Sequence, residues 1–386
     1  MKRLFFLFSI AVLSFSCKSE EKPTSPLAGK ESLTAAETVE YASFLQQQWK
    51  DSVQVALRSS FDGKAIVRGK YTMRVDWKTF GSKPSEGRAL YISLHGGGAT
   101  DAATNDGQWQ NQLQLYTPSE GIYLCPRAIV DDWNMHFRPE SDAFYEDVIH
   151  MAVAFLDVNP DKVYLMGYSA GGDGVWQLGP RMADHWAAAS MMAGHPNGVS
   201  LVNLRNLPFS IWCGALDNAY NRSQACADKI QELAELHEAD PEGYVYDGHI
   251  VEGKEHWMDQ VDRAAVPWMA KYKRNPLPKK IVWRQADEKK SAFYWLGVPL
   301  SQASNGKKIE ARIDGNTVEI LASDYSSATI FLNDKMMNLD KPVRVTYGDK
   351  TVFEGTVVRS PAVMRQTLRE RGDFSYVFPV RIDVKL

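Results

Sequence analysis

The sequence predicts an α/β fold with a mostly parallel central sheet, followed by a small C-terminal antiparallel β-rich domain. Three observations carry this. Between about residues 88 and 272, short apolar runs alternate with amphipathic helical stretches, the pattern of a sheet covered by helices on both faces. After Asn275-Pro276-Leu277-Pro278 the period changes to alternating apolar and polar residues, as in half-buried strands. The composition is that of a globular chain, with 386 residues, 44% hydrophobic and 24% charged. This excludes collagen-like, coiled-coil or disordered structure for most of the length.

The N-terminus reads as an export signal. Lys2 and Arg3 precede an apolar stretch at 4–13, and Ser14-Phe15-Ser16-Cys17 follows. That is the layout of a secretory signal peptide, too short for a membrane helix. A Cys after a small residue resembles a bacterial lipobox, with Ser14 standing where Leu is usual. The resemblance implies lipidation at Cys17 and a membrane contact through that anchor only. The expected location is the bacterial outer membrane or cell surface, with a periplasmic or secreted protein as the alternative. Residues 18–33 read as a flexible tether. Beyond Cys17 stand Cys125, Cys213 and Cys226. An odd number leaves one unpaired, and Cys213 with Cys226 is the favoured pair.

The elements follow in order. Thr34-Ala35-Ala36-Glu37 fits a capping box, and Tyr41, Phe44, Leu45, Trp49 and Val53 continue at helical spacing. A strand pair is expected at 64–77. Strands are then expected at 89–94, 121–125, 163–166, 187–193, 208–213 and 244–251. Helices are expected at 143–158, 169–183, 222–236 and 257–272. In the tail, Ile309, Ala311 and Ile313 alternate, Asp314-Gly315-Asn316 turns, and Val318 and Ile320 resume. This is a hairpin. Residues 343–347 repeat the alternation, and a helix from Pro361 to Gly372 carries proline at its first turn. The domains are therefore drawn at 34–275 and 276–386.

The sharpest chemical signal is Gly167-Tyr168-Ser169-Ala170-Gly171, which follows a buried strand and precedes a helix. A nucleophile elbow requires that context, with small residues around the serine. A serine hydroxyl needs a base to take its proton, and the base needs a carboxylate to orient it. In this strand–turn–helix setting the chain order is Ser, then acid, then His. Asp217 lies beyond the 208–213 strand, and His256 beyond the 244–251 strand. The competitors are worse placed: His249 falls inside a strand, and Asp228 and Asp240 lie within or past a helix. His95-Gly96-Gly97-Gly98 ends the 89–94 strand. Backbone N–H groups there suit an oxyanion, so Gly97 or Gly98, together with Ala170, are the expected donors. Trp133, His136, Tyr168 and Trp257 stand near strand tips as candidate substrate contacts, where aromatics suit sugars or phenolic acyl groups. Local packing accounts for them equally well. Asp173 reads as a partner of the helix dipole.

On these residues, 88–272 resemble the α/β-hydrolase superfamily. The segments Gly167-Tyr168-Ser169-Ala170-Gly171-Gly172-Asp173-Gly174-Val175 and Met192-Ala193-Gly194-His195-Pro196-Asn197 look like those of secreted bacterial esterases of the polyhydroxybutyrate-depolymerase and feruloyl-esterase-like kind. Phe293-Tyr294-Trp295-Leu296 and Asp340-Lys341-Pro342-Val343 resemble the tail of that subgroup. The resemblance implies an α/β-hydrolase fold and a triad of Ser169, Asp217 and His256. It supplies no substrate; the expected activity is cleavage of carboxylic esters, carbohydrate-linked or polymeric ones among the candidates, with neither cofactor nor metal. Two alternatives remain open: a serine peptidase of the prolyl-oligopeptidase-like superfamily acting on short peptides, and a non-catalytic surface binding lipoprotein. Only 195–206 fills the place where a lid is often inserted, so an open pocket without a large cap is expected. A net charge of −3 offers no electrostatic footprint for nucleic acid.

Overall fold

The computed structural model describes residues 25–386, so the expected signal peptide and Cys17 lie outside the described residues. Helix α1 (Ala35–Gly63) opens on the expected capping box. The Glu37 N–H donates to Thr34 Oγ1 at 3.2 Å, and the Thr34 N–H donates to the Glu37 carboxylate at 2.9 Å.

The alternating region builds one eight-stranded sheet. Its strands are β1 (Ala65–Arg68), β2 (Tyr71–Phe80), β3 (Arg88–Leu94), β4 (Gly121–Pro126), β5 (Val158–Tyr168), β6 (Ala188–Met192), β7 (Phe209–Gly214) and β8 (Tyr246–Val251), in the order β1-β2-β4-β3-β5-β6-β7-β8. From β4 to β8 all neighbours are parallel, and β1 and β2 are antiparallel at one edge. Every residue of β4, β6 and β7 is buried. Continuous apolar runs result when helices cover both faces. The covering helices are α2 (Ala102–Leu115), α3 (Ser141–Phe155), α4 (Ala170–Arg181), α5 (Arg222–Ala239) and the short α6 (Ala265–Met269).

The tail forms two smaller sheets. One contains β9 (Lys280–Arg284), β12 (Lys308–Asp314), β13 (Thr317–Ser323), β15 (Val343–Tyr347) and β16 (Lys350–Gly355). The other contains β10 (Ala292–Phe293), β11 (Leu296–Gly297), β14 (Ser327–Leu332) and β17 (Val380–Lys385), and α7 (Pro361–Arg371) lies between β16 and β17 in the chain. In the expected hairpin Asp314 pairs with Thr317, and Gly315 takes the left-handed turn at φ 55°. One pairing departs from the antiparallel expectation: β13 and β15 run parallel, because the chain visits the other sheet through β14 between them.

The change of period near 276 coincides with no gap in packing. A single apolar cluster runs from Ile66 to Val384. Arg274 is buried across the junction, donating to Asp161 at 2.8 Å and to Asp373 at 2.6 Å.

Several expectations need correction. Helix α2 was not foreseen. Its only large apolar residues are Trp109, Leu113 and Leu115, all in the second half, so no apolar stripe announces it. The helix expected at 143–158 ends at Phe155, because Asp157 turns left-handed at φ 54° and β5 begins at Val158. Of the helix expected at 257–272, only a 3₁₀ turn at Val261–Ala264 and α6 remain. Asp259 and Gln260 adopt φ values of 52° and 60°, which interrupts a right-handed helix. The favoured cysteine pair is not bonded: Cys125, Cys213 and Cys226 are buried free thiols.

Candidate active site

Strand β5 delivers Ser169 to its carboxyl end, where the chain turns sharply into α4. Ser169 itself sits at φ 58°, ψ −122°, a strained conformation for a residue with a side chain. The small flanks are obligatory. A Cβ on Gly167 would stand 2.4 Å from the Gly171 carbonyl oxygen, and one on Gly171 would stand 2.1 Å from that of Leu94. The turn is pinned by the Ser169 N–H donating to the Met192 carbonyl at 2.9 Å.

The loops after β7 and β8 bring the other two residues to the serine. His256 Nδ1 lies 2.7 Å from Asp217 Oδ2, and Nε2 lies 2.9 Å from Ser169 Oγ. Asp217 is buried and faces Nδ1, so Nδ1 carries the proton and Nε2 is left to accept from the serine hydroxyl. The two loops pack closely because β7 ends in glycine: a Cβ on Gly214 would meet the Glu255 carbonyl oxygen at 2.1 Å. Tyr168 locks the histidine loop, with Oη donating to the His256 carbonyl at 2.5 Å and accepting from the Met258 N–H at 3.3 Å. Burial pushes the Tyr168 phenol well above its usual range.

Arg222 joins this cluster without having been singled out in the sequence. Its Nη1 donates to Asp217 Oδ1 at 2.5 Å and lies 3.0 Å from His256 Nδ1. Since Nδ1 is a donor, the guanidinium's hydrogen bond goes to the carboxylate. One signal was available: Arg222 is the first residue of α5, where the helix dipole disfavours a cation.

The glycine loop after β3 supplies backbone donors. Gly97 and Gly98 adopt φ values of 104° and 80°, which favour glycine. Asn105, buried on α2, accepts the Gly98 N–H at 2.9 Å and donates to Asp131 Oδ1 at 2.9 Å. Gly98 is therefore occupied, and between the two expected alternatives it is the Gly97 N–H that has no partner among the described residues. The Ala170 N–H, at the first position of α4, has no intrahelical acceptor.

His136 does not line the cleft, contrary to expectation. It is buried, with Nε2 donating to the His95 carbonyl at 2.8 Å. His95 donates from Nδ1 to the Gly96 carbonyl at 2.7 Å and accepts the Ala128 N–H at 3.1 Å. The two imidazoles therefore brace the glycine loop from below. Burial drives His95 well below its ordinary value and His136 down to about 4. Trp133 is exposed against the edge of Phe137, away from the cleft wall. Asp173 is tied sideways rather than serving only the helix dipole. Its carboxylate accepts the His195 N–H at 2.7 Å, and burial raises its pKa. The competitors lie elsewhere: His249 stacks on Trp212 at 3.7 Å, and Asp240 pairs with Arg205 at 2.8 Å.

A cleft of about 720 Å³ opens beside the serine. Its walls are Gly96, Gly97, Thr104, Gln108, Asn111, Gln112, Gln114, Leu115, Tyr168, Ser169, His256, Trp257 and Gln260. The connection from β6 to β7 contains only a 3₁₀ turn at Val202–Asn206.

No family model and no curated protein sequence matches the chain. Solved structures give distant likenesses. The BES protein from Bacillus cereus is 12% identical over 52% of this chain and 88% of its own, with a TM-score of 0.37. Thermogutta terrifontis esterase 2, phosphonylated by cyclosarin, is 17% identical over 54% of this chain and 88% of its own, at 0.37. The S-formylglutathione hydrolase FrmB from Staphylococcus aureus is 15% identical over 52% of this chain and 90% of its own, at 0.35. Likenesses at this level decide nothing about chemistry. The fold class rests on the chain's own features. A mostly parallel sheet, an elbow serine at the end of β5, and acid and histidine loops after β7 and β8 make this an α/β-hydrolase fold.

Proposed function

We propose that the protein is a serine hydrolase that cleaves carboxylic esters through an acyl-enzyme intermediate. The observation that carries this reading is the unbroken hydrogen-bonded line from Ser169 Oγ through His256 to Asp217, with the Gly97 and Ala170 N–H groups beside it engaged by no acceptor among the described residues. Ser169 Oγ attacks the ester carbonyl carbon while its proton passes to His256 Nε2. Asp217 stabilises the resulting imidazolium, and Arg222 holds Asp217. The oxyanion is received by the Gly97 and Ala170 N–H groups. As the C–O bond breaks, His256 returns the proton to the departing alcohol. Water, deprotonated by the same Nε2, then attacks the acyl-serine, releases the acid and restores Ser169.

Esters rather than short peptides suit the cleft, since among the described residues no carboxylate stands in its wall to hold a peptide amino terminus. The pattern at residues 1–17 supports an exported enzyme anchored through Cys17. In that case Cys17→Ser moves the protein from the membrane to the soluble fraction.

The central test is Ser169→Ala assayed beside the unaltered protein on acetyl, butyryl and feruloyl esters and on aminoacyl amides. The expected result is ester turnover lost in the variant at an unchanged melting temperature, with a fluorophosphonate label on Ser169 alone. Residual turnover above a few per cent removes Ser169 from the mechanism.

A further inference from the structure

We infer that the side-chain amide of Gln108 is a third oxyanion donor, acting beside the Gly97 and Ala170 N–H groups. The inference rests on the hydrolase reading and deepens it by adding a catalytic residue.

Gln108 lies on α2 between two residues whose side chains are fixed. Asn105, one turn earlier, accepts the Gly98 N–H at 2.9 Å, and Gln112, one turn later, donates from Nε2 to Ser93 Oγ at 2.8 Å. Both are buried. Next to Gln108, Trp109 Nε1 donates to the Cys125 carbonyl at 2.9 Å. Residues three and four apart share a helix face, so Asn105, Gln108 and Gln112 all face β3 and the glycine loop that follows it. The position of α2 against that loop is thus set on both sides of Gln108.

The course of the Gln108 side chain follows from what surrounds the glycines. A Cβ built on Gly97 would stand 3.6 Å from Gln108 Cγ, so the stem lies against the loop. A Cβ built on Gly96 would stand 3.6 Å from Gln108 Oε1 and 3.4 Å from Ser169 Cβ. The amide and the nucleophile therefore border one small space, left open because residue 96 has no side chain. Gly96, unlike Gly97 and Gly98, does not adopt a positive φ, so its backbone makes no demand for glycine. Gln108 lines the cleft with Gly96, Gly97 and Ser169, and its amide has no hydrogen-bond partner among the described residues.

That placement suits one task. When Ser169 Oγ bonds to the ester carbonyl carbon, the carbonyl π pair moves onto oxygen, and donors held at that point stabilise the charge. An amide carries a donor end and an acceptor end. With neither end engaged, a half-turn about Cγ–Cδ puts Nε2 where Oε1 stands. A developing negative charge selects the Nε2 end, and a hydrogen bond to an anion is of the stronger, charge-assisted kind. No proton is transferred from Gln108. The electron pair returns to the carbonyl as the alcohol, protonated by His256, departs.

The test sets Gln108→Ala and Gln108→Glu beside the parent on p-nitrophenyl acetate. A second readout is inhibition by a trifluoromethyl ketone, which Ser169 converts into a tetrahedral oxyanion adduct. Glutamate keeps the size of the side chain and removes the donor, which separates hydrogen bonding from packing. Losing one oxyanion donor costs roughly 10²–10³ in kcat, and Gln108 is an exposed donor beside two backbone ones, so a fall of about tenfold to a hundredfold in kcat/KM is expected for both variants. The ketone's inhibition constant should rise by a similar factor at an unchanged melting temperature. A kcat/KM within about twofold of the parent in either variant, or an unchanged inhibition constant, overturns the assignment. A fall in kcat alone also overturns it, because kcat/KM reports the acylation step and that result places Gln108 on the deacylating water. If the parent neither turns over p-nitrophenyl acetate nor takes a fluorophosphonate label at Ser169, the hydrolase reading fails and this inference fails with it. An active parent indifferent to both substitutions removes the inference alone.

Discussion

Asn105→Ala tests whether the glycine loop is an oxyanion site, through a residue that touches no substrate. Asn105 is fully buried, and its Oδ1 accepts the Gly98 N–H at 2.9 Å while its Nδ2 donates to Asp131 at 2.9 Å. Alanine removes both bonds, each contributing about 0.5–1.5 kcal/mol net to stability, from partners that are part-exposed rather than buried. A stability loss of about 2 kcal/mol is therefore expected, read from a denaturant midpoint. The effect on activity is separable. Deleting one oxyanion donor outright costs about 2.7–4 kcal/mol, or roughly 10²–10³ in kcat. Asn105→Ala deletes no donor but releases the loop that aims the Gly97 N–H, so that figure is a ceiling. The expected fall in kcat is about tenfold to a hundredfold, at about 1.4 kcal/mol per decade. KM should change little, because the lost interaction belongs to the transition state. The assay is steady-state hydrolysis of p-nitrophenyl acetate well below the variant's melting temperature. A kcat within twofold of the parent, in a folded variant, refutes the assignment of this loop as the oxyanion site.

Arg222→Met removes the guanidinium from Asp217 Oδ1. A hydrogen bond to a charged group contributes about 1.5–3 kcal/mol, so kcat should fall about tenfold to a hundredfold, with Arg222→Lys intermediate; an unchanged kcat removes Arg222 from the positioning of Asp217. Acid stability should follow the buried imidazoles: His136 is held down to about 4, chiefly by burial, so between about pH 6.5 and 4 the unfolded chain takes up a proton that the folded chain refuses. Stability therefore falls as pH drops through that window, by on the order of 3 kcal/mol for this group. His136→Gln should flatten the decline measured by urea unfolding at pH 6.5, 5.5 and 4.5, and an unaltered slope contradicts the assignment.

Much of this was legible because the elements concerned carry local chemical signatures. The capping box at Thr34, the hairpin at Gly315 and the proline-started helix at Pro361 depend on residues within a few positions of one another. Helix α2 escaped because one of its faces lines an open cleft and stays polar, which erases the apolar stripe. The residues at 257–272 were misread as one long helix. Their apolar spacing is real, but Asp259 and Gln260 turn left-handed where the chain leaves the histidine loop. His136 looked like a pocket residue because histidine near a strand tip is ambiguous between a solvent-facing ligand and a buried brace, and only packing resolves that.

The sequence by itself determined the α/β alternation, the elbow at Ser169, and the candidate acid and base at Asp217 and His256. Periodicity, turn sterics and chain order are properties of neighbouring residues or of their succession. Only the folded chain shows that Gly97 and not Gly98 keeps an N–H without a partner among the described residues, that Arg222 holds Asp217, and that α2 forms a wall of the cleft. Those outcomes depend on which groups meet across the fold: Asn105 with Gly98, Arg222 with Asp217, and α2 with the segment around Trp257. A hydrogen bond between distant segments leaves no periodic trace in either of them, so its donors and acceptors are identified only when the chain has brought them together.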